Sequence, residues 1–161
     1  MLALALGAAP AAPSAASAPA PPGYVGVDHP PVPAGVVEVT GALVDPAGRR
    51  PGPAFGVTQV RAGGRDRLWL DSATSAPGAR RPTWRVVDEV VLPAVPRGYS
   101  VVLQACRVGG TPDPAVVAVA RDEPGDVLRH IRLAWRADPA ARRFRALPAR
   151  AVTCENEGAG L

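Results

Sequence analysis

The sequence predicts a small, mainly β domain of antiparallel strands, about seven short ones, in a meander- or sandwich-like order. Short apolar runs alternate with polar residues at a period of two, which is typical of half-buried strands. Clusters drawn from 20 prolines and 17 glycines separate these runs, and such clusters form turns. Only one window, residues 126–136, has helical spacing. We therefore expect at most one short helix, and the alternative is an α+β fold with a helix near 126–136.

The first 18 residues are typical of a secretion signal. Leu2, Leu4 and Leu6 alternate with small apolar residues, and Ser14–Ser17 offers small residues of the kind that signal peptidase cleaves after. A signal peptide normally begins with a positive charge, but the first charged residue here is Asp28, so we expect translation to start upstream. The segment is too short to span a bilayer. We predict a periplasmic or secreted protein; the alternative is a cytoplasmic protein with an Ala/Pro-rich leader.

Residues 19–34 are rich in proline and alanine. Proline lacks a backbone donor and has a fixed φ, so it suits neither a helix interior nor a central strand. We therefore predict a disordered tether over 19–34 and a single β-rich domain over 35–158.

The first strand of this domain is indicated by Val37, Val39 and Leu43, which alternate with polar or small residues and are expected to face the core. Asp45–Gly48 has the composition of a type I turn. Residues 55–61 and 65–71 then predict two strands joined by Ala-Gly-Gly.

Residues 72–82 predict an exposed connector, and three further strands follow at 84–92, 99–106 and 115–120, separated by Pro/Gly corners. The next segment is ambiguous. Asp126 suits the N-cap of a helix, but Ile131–Ala137 also alternates strictly, and Asp138-Pro139 is a turn sequence. We favour a hairpin that returns through residues 144–147.

The chain has two cysteines, Cys106 and Cys154. Two cysteines with no third one left over predict a disulfide in an exported protein. The alternative is that both thiols are free and buried. A zinc site is not expected, because the cysteines and the two histidines lack zinc-finger spacing.

Every one of the 18 basic residues is arginine. Residues 129–150 hold seven of them against a single acidic residue, Asp138. Such a segment can attract an acidic or phosphate-bearing partner, although a solvated hairpin face is the simpler interpretation. The polar C-terminal block is a second candidate for partner contact. The predicted partner-binding residues are Arg129, Arg132, Arg136, Arg142, Arg143, Arg145, Glu155, Asn156 and Glu157.

A string of short blocks in residues 84–158 carries a resemblance. The blocks are Trp84-x-x-Val87-Asp88, Leu92-Pro93, Pro96, Gly98-Tyr99, Cys106-Arg107, Gly110-x-Pro112-Asp113-Pro114, Arg121-Asp122, Ala134-Trp135-Arg136, Arg143-Phe144 and Cys154–Gly158. This half of the chain resembles a family of small uncharacterised exported proteins of Gram-negative, Xanthomonas-type bacteria. The resemblance implies export and the cysteine pair, and implies no activity.

The sequence contains no Gly-x-Ser-x-Gly elbow, and its acidic clusters lack the alternate spacing of a calcium loop. We expect no cofactor and no metal. We therefore predict a monomeric, non-enzymatic binding or accessory protein of the cell envelope, such as an inhibitor or ligand of another secreted macromolecule. Nucleic acid is not an expected partner, because an exported protein rarely meets it. The alternative is a hydrolase with an unrecognised site.

Overall fold

The computed structural model describes residues 23–45 and 52–158. The predicted signal peptide, residues 19–22 of the predicted tether and most of the predicted Asp45–Gly48 turn lie outside these residues.

The described chain forms thirteen strands and one short 3-10 helix. The elements are β1 (Asp28–His29), β2 (Val36–Leu43), β3 (Phe55–Ala62), β4 (Arg65–Ala73), β5 (Trp84–Val91), β6 (Tyr99–Leu103), β7 (Cys106–Val108), β8 (Thr111–Pro112), β9 (Val116–Arg121), β10 (Val127–Leu128), β11 (Ile131–Asp138), β12 (Arg143–Ala146), the helix Ala149–Ala151 and β13 (Val152–Glu155).

The predicted mainly β, antiparallel class is confirmed, and the ambiguous segment is a hairpin. β11 and β12 pair antiparallel, with Ala137 opposite Phe144. The strands are more numerous than predicted partly because the 99–106 run breaks at Gln104, whose φ of 62° lies in the left-handed region. The Gln104 side-chain amide donates to the carbonyl of Leu43, 2.6 Å away.

The strands form three sheets. A five-stranded sheet has the order β1-β5-β4-β3-β2, a middle sheet has the order β12-β11-β9-β6, and a small sheet has the order β10-β13-β7-β8. All pairings are antiparallel within the described residues.

The middle sheet is packed on both faces. Val117 and Val119 lie in a cluster with Leu68 and Leu70 of the five-stranded sheet. The alternate residues of β9 lie in a second cluster with the small sheet; its buried members are Cys106, Val116, Ala118, Ala120, Leu128, Ala134, Val152 and Cys154. Because both faces of β9 are covered, its sequence is a continuous run of small apolar residues without polar alternation.

The outer face of the five-stranded sheet is covered by residues 23–34, which we call the N-terminal cover. Tyr24, Val27 and Val32 pack against a buried cluster that includes Trp69, and His29 is buried. The predicted tether is therefore wrong from Gly23 onward. Proline excludes this segment from a central strand but allows it at a sheet edge, where the two-residue β1 pairs with β5.

The sequence also predicts the wrong set of buried side chains for β2. Val37, Val39 and Leu43 are 63%, 48% and 41% exposed, whereas Val36 is buried under the N-terminal cover. β2 is an edge strand, and its register with β3 shifts between Glu38 and Thr40. A bulge of this kind changes the direction only of the side chains that follow it. Val37 precedes the bulge and is exposed because it alternates with Val36, which points under the N-terminal cover.

Cys106 and Cys154 form a disulfide between directly opposed residues of β7 and β13, as predicted from the sequence. The bond joins residues 48 positions apart and lies in the interior of the small sheet, with both residues buried. Among the described residues, no helix has the length and apolarity to cross a membrane.

Candidate binding site on the arginine-rich hairpin

The predicted basic segment forms the hairpin of β11 and β12. Its turn, residues 139–142, is fixed by Asp138, whose carboxylate accepts the N–H of Ala141 at 3.0 Å. Arg142 completes the turn with a φ of 52°, a left-handed conformation that is uncommon for arginine. The geometry of the tip is therefore set by local hydrogen bonding.

One face of the hairpin belongs to the core. Trp135, Ala137 and Phe144 pack in the cluster between the middle and five-stranded sheets. The N–H of Phe144 also donates to the Asp88 carboxylate of β5, at 2.6 Å. Because successive strand side chains point to opposite faces, Arg136, Asp138, Arg143 and Arg145 lie on the other face.

Two of the predicted arginines on this face are neutralised. Arg136 forms an ion pair with Asp113 at 2.7 Å, and Arg145 forms one with Asp138 at 2.7 Å. The Ala141 N–H and the Arg145 guanidinium lower the pKa of Asp138. These two arginines hold the hairpin in place more than they offer charge to a partner.

The remaining arginines of the segment are exposed and form no ion pair with a carboxylate of residues 23–45 or 52–158. They are Arg129, Arg132, Arg142, Arg143 and Arg150. Arg132 lies in a bulge, since the register of β11 with β9 shifts between Ile131 and Leu133. Arg142 lies over the Phe55 ring, with its guanidinium carbon 6.0 Å from the ring centroid.

Four of these exposed arginines lie at the two ends of β11, and Arg150 lies in the 3-10 helix. Arg129 and Arg132 lie near the beginning of β11 and Arg142 and Arg143 just beyond its end. At about 3.3 Å per strand residue, the two groups are roughly 20 Å apart. A partner that contacts both must carry several acidic groups over that length, because a single phosphate is too small.

The C-terminal block, the second predicted contact, has mainly local roles. Glu155 forms an ion pair with Arg107 at 2.8 Å. The Asn156 side-chain amide donates to the carbonyls of Glu123 and Gly125, at 3.0 and 2.8 Å, and so holds the preceding turn against β13. Glu157 is exposed.

The tip of the hairpin borders an apolar cleft that the sequence analysis missed. Arg142 and Ala140 line it together with Leu43, Phe55 and Trp84, in a volume of about 1180 Å³. The lining comes from three segments that are far apart in sequence, so no local pattern indicates it. The sequence signal that bears on it is the aromatic residue at the beginning of each of two strands, Phe55 in β3 and Trp84 in β5.

The buried polar side chains beneath the N-terminal cover are not arranged for nucleophilic catalysis. Asp71 accepts hydrogen bonds from the Thr58 hydroxyl at 2.6 Å and from His29 at 3.1 Å. A nucleophilic hydroxyl requires a base that takes its proton and a third group that orients the base. Here the carboxylate lies between the hydroxyl and the imidazole, so the cluster attaches the cover to the sheet.

The exposed His130 side chain pairs with the half-buried Glu123 carboxylate at 2.5 Å. The N–H of Arg129, followed by the His130 side chain, lowers the pKa of Glu123 to about 2. Within the part of the chain that the structure describes, no three acidic, histidine or cysteine residues are grouped as a metal site. Comparisons with protein-family models, curated proteins and solved structures give no match for this chain.

Proposed function

We propose that this chain is an exported, non-enzymatic binding or accessory protein of the bacterial cell envelope, and that it contacts an acidic or phosphate-bearing partner through the arginine-rich hairpin. One observation carries the proposal. Exposed arginines without carboxylate partners lie on a hairpin whose opposite face is anchored in the core. Rigid placement of charge reduces the conformational entropy lost on binding and strengthens electrostatic steering.

Export is supported by the composition of residues 1–18 and by the disulfide. Disulfides persist in oxidising compartments such as the periplasm. In the native host, mass spectrometry should detect a mature N-terminus between Ala12 and Gly23, and thiol alkylation should modify neither cysteine before reduction. An uncleaved protein with two reactive thiols would contradict export.

The nature of the partner follows from the sign and the spacing of the charges. The hairpin suits an acidic protein surface or the clustered phosphates of an envelope glycolipid, because each presents several anionic groups over the required distance. Nucleic acid suits it less well. Single-stranded nucleic acid binds on exposed aromatic side chains, whereas Trp135 and Phe144 pack in the core.

The experiment compares two variants with the same change in charge. R132Q/R143Q removes one unpaired arginine from each end of the hairpin, and R65Q/R97Q removes two exposed arginines from other parts of the surface. Tagged proteins are used to capture partners from the periplasmic and outer-membrane fractions of the native host at low and high ionic strength. We expect wild type and R65Q/R97Q to retain a partner at low salt and lose it at high salt, since salt screens exposed charges.

We expect R132Q/R143Q to lose that partner already at low salt. Retention by R132Q/R143Q equal to that of the control, or retention that salt does not weaken, would contradict the proposal. Circular dichroism of each variant verifies that the fold is unchanged.

A further inference from the structure

We infer that the cleft at the hairpin tip binds a single-chain amphiphile with a phosphate head group, the chain lying in the cleft and the phosphate against Arg142. The inference rests on the proposed function, because Arg142 belongs to the same hairpin. It adds the class of small ligand and a second contact surface.

The walls of the cleft come from three parts of the chain. One wall is formed by the end of β2 and the beginning of β3, with Leu43, Val44 and Phe55. A second is the connector between β4 and β5 together with Trp84, and the third is the hairpin turn at residues 139–142. Proline, alanine and aromatic side chains predominate in the lining, so the surface can hold a hydrocarbon chain.

The apolar surface of the cleft remains accessible to solvent. Leu43 is 41% exposed, and Phe55 and Trp84 are half-buried. Burying apolar surface releases about 25 cal/mol per Å². Ligand sites of about 300–1,000 Å³ are typically lined by apolar side chains with a few polar groups that orient the ligand. The volume of about 1180 Å³ is slightly above this range and admits a long chain.

The rim of the cleft that is formed by the hairpin turn is positively charged. Arg142 lines the cleft, and its guanidinium lies over the Phe55 ring. One side of the planar guanidinium therefore faces an aromatic wall of the cleft. Asp45, the acidic residue of the lining, is already engaged in an interaction of its own. A guanidinium binds phosphate oxygens by paired hydrogen bonds, so a phosphate head complements this rim.

This combination favours a ligand that carries both a charged and an apolar group. A neutral hydrocarbon would leave Arg142 without a counter-charge, and inorganic phosphate would leave the apolar walls exposed. A molecule with both groups satisfies the rim and the walls together. We therefore expect its affinity to exceed that of either part alone.

Isothermal titration calorimetry with dodecyl phosphate, below its micelle concentration, tests the inference. We expect one molecule to bind per chain, with dodecanol and inorganic phosphate each binding at least about tenfold more weakly. Tryptophan emission should shift toward the blue on binding, because Trp84 lines the cleft and becomes less hydrated.

A matched pair of variants locates the site. Ala140 lines the cleft, whereas its neighbour Ala141 in the same exposed turn does not. A140E places a carboxylate in the cleft and should weaken dodecyl phosphate binding by about tenfold or more, while A141E should leave it within about twofold. R142Q should reduce the affinity for dodecyl phosphate toward that for dodecanol.

Equal effects of A140E and A141E, or equal affinity for dodecanol and dodecyl phosphate, would overturn the inference. The R132Q/R143Q variant distinguishes a failure of this inference from a failure of the proposed function. If the hairpin face binds no macromolecule, capture fails while dodecyl phosphate still binds wild type and R132Q/R143Q alike. If the cleft is not the site, salt-sensitive capture persists in A140E and dodecyl phosphate fails to bind.

Discussion

The charged groups under the N-terminal cover and those on the arginine-rich hairpin differ in what surrounds them. Under the cover, Arg67 and Glu89 pair at 2.5 Å with side chains only 1% and 8% exposed, and Tyr24 lies over the guanidinium. On the hairpin, Arg132 and Arg143 are exposed and form no ion pair with any described carboxylate. In the first set each charge depends on its partner, because unpaired charge is costly in an apolar interior. The second set contributes little to folding and remains available to a partner.

The largest expected effect is that of Glu89→Ala, which leaves the buried Arg67 guanidinium without a counter-charge. Its Nε and Nη2 atoms have no acceptor among the described residues. We expect a loss of about 3–5 kcal/mol in the free energy of unfolding, measured by urea denaturation. R67M/E89L removes both charges and should lose less. The control, E157A on the exposed C-terminal block, should change stability by less than about 0.5 kcal/mol. Equal losses for E89A and E157A would show that the pair is not structural.

A matched pair on β2 tests the corrected direction of its side chains. Val36 lies under the N-terminal cover and Val37 is 63% exposed. V36T buries a hydroxyl and should destabilise the protein by about 1–3 kcal/mol, while V37T should have an effect below about 0.5 kcal/mol. A larger loss of stability for V37T than for V36T in chemical denaturation would instead support the prediction that Val37 faces the core.

The pH dependence of stability tests how the cover is attached. The hydrogen bond to Asp71 raises the pKa of His29, with smaller contributions from the charges of Asp71, Glu38 and Asp28 and opposition from burial. The native state therefore holds this proton more tightly than the unfolded state, whose pKa is about 6.5. The resulting stabilisation is complete below that value and is lost as pH rises through the native pKa.

We therefore expect the denaturant midpoint of wild type to fall as pH rises above about 6.5. D71N keeps the shape of the side chain without its charge, and should show a much smaller fall. A midpoint that rises over this interval, or a D71N curve parallel to that of wild type, would contradict the assignment.

The smallest effect on stability is expected on the hairpin. R132Q/R143Q should change the free energy of unfolding by less than about 0.5 kcal/mol, although the same change should abolish partner capture. A large loss of stability together with lost capture would mean that these arginines belong to the structural set, as those under the cover do.

The sequence predicts the strands best where a strong turn sequence joins two runs of strand-forming residues. The β3–β4 and β11–β12 hairpins both combine alternation with a strong turn sequence, and both were predicted. The N-terminal cover was not predicted, because proline content excludes regular structure but gives no information on packing. Tyr24, Val27 and His29 could have indicated it, since apolar and aromatic residues are unusual in a disordered tether.

The candidate site was predicted only in part. The arginines of 129–150 were identified from charge density, but their pairing was not. Arg136 contacts Asp113 in the loop between β8 and β9, and contacts of this kind depend on strand register, which the sequence does not specify. The cleft was missed for the same reason, since its walls meet only after three sheets have assembled.

The position of the disulfide has a consequence for how the protein opens. The strands of the small sheet contain only two to four residues each, and this layer covers the Val116, Ala118 and Ala120 face of β9. Layers with few contacts open independently of the rest of a domain, and the crosslink between β7 and β13 opposes such opening. After reduction, the amides of β13 should exchange with deuterium well before those of β3 and β4. The uncovered face of β9 would then be an exposed apolar patch of the kind that aggregates, so we expect the reduced protein to self-associate more than the oxidised one.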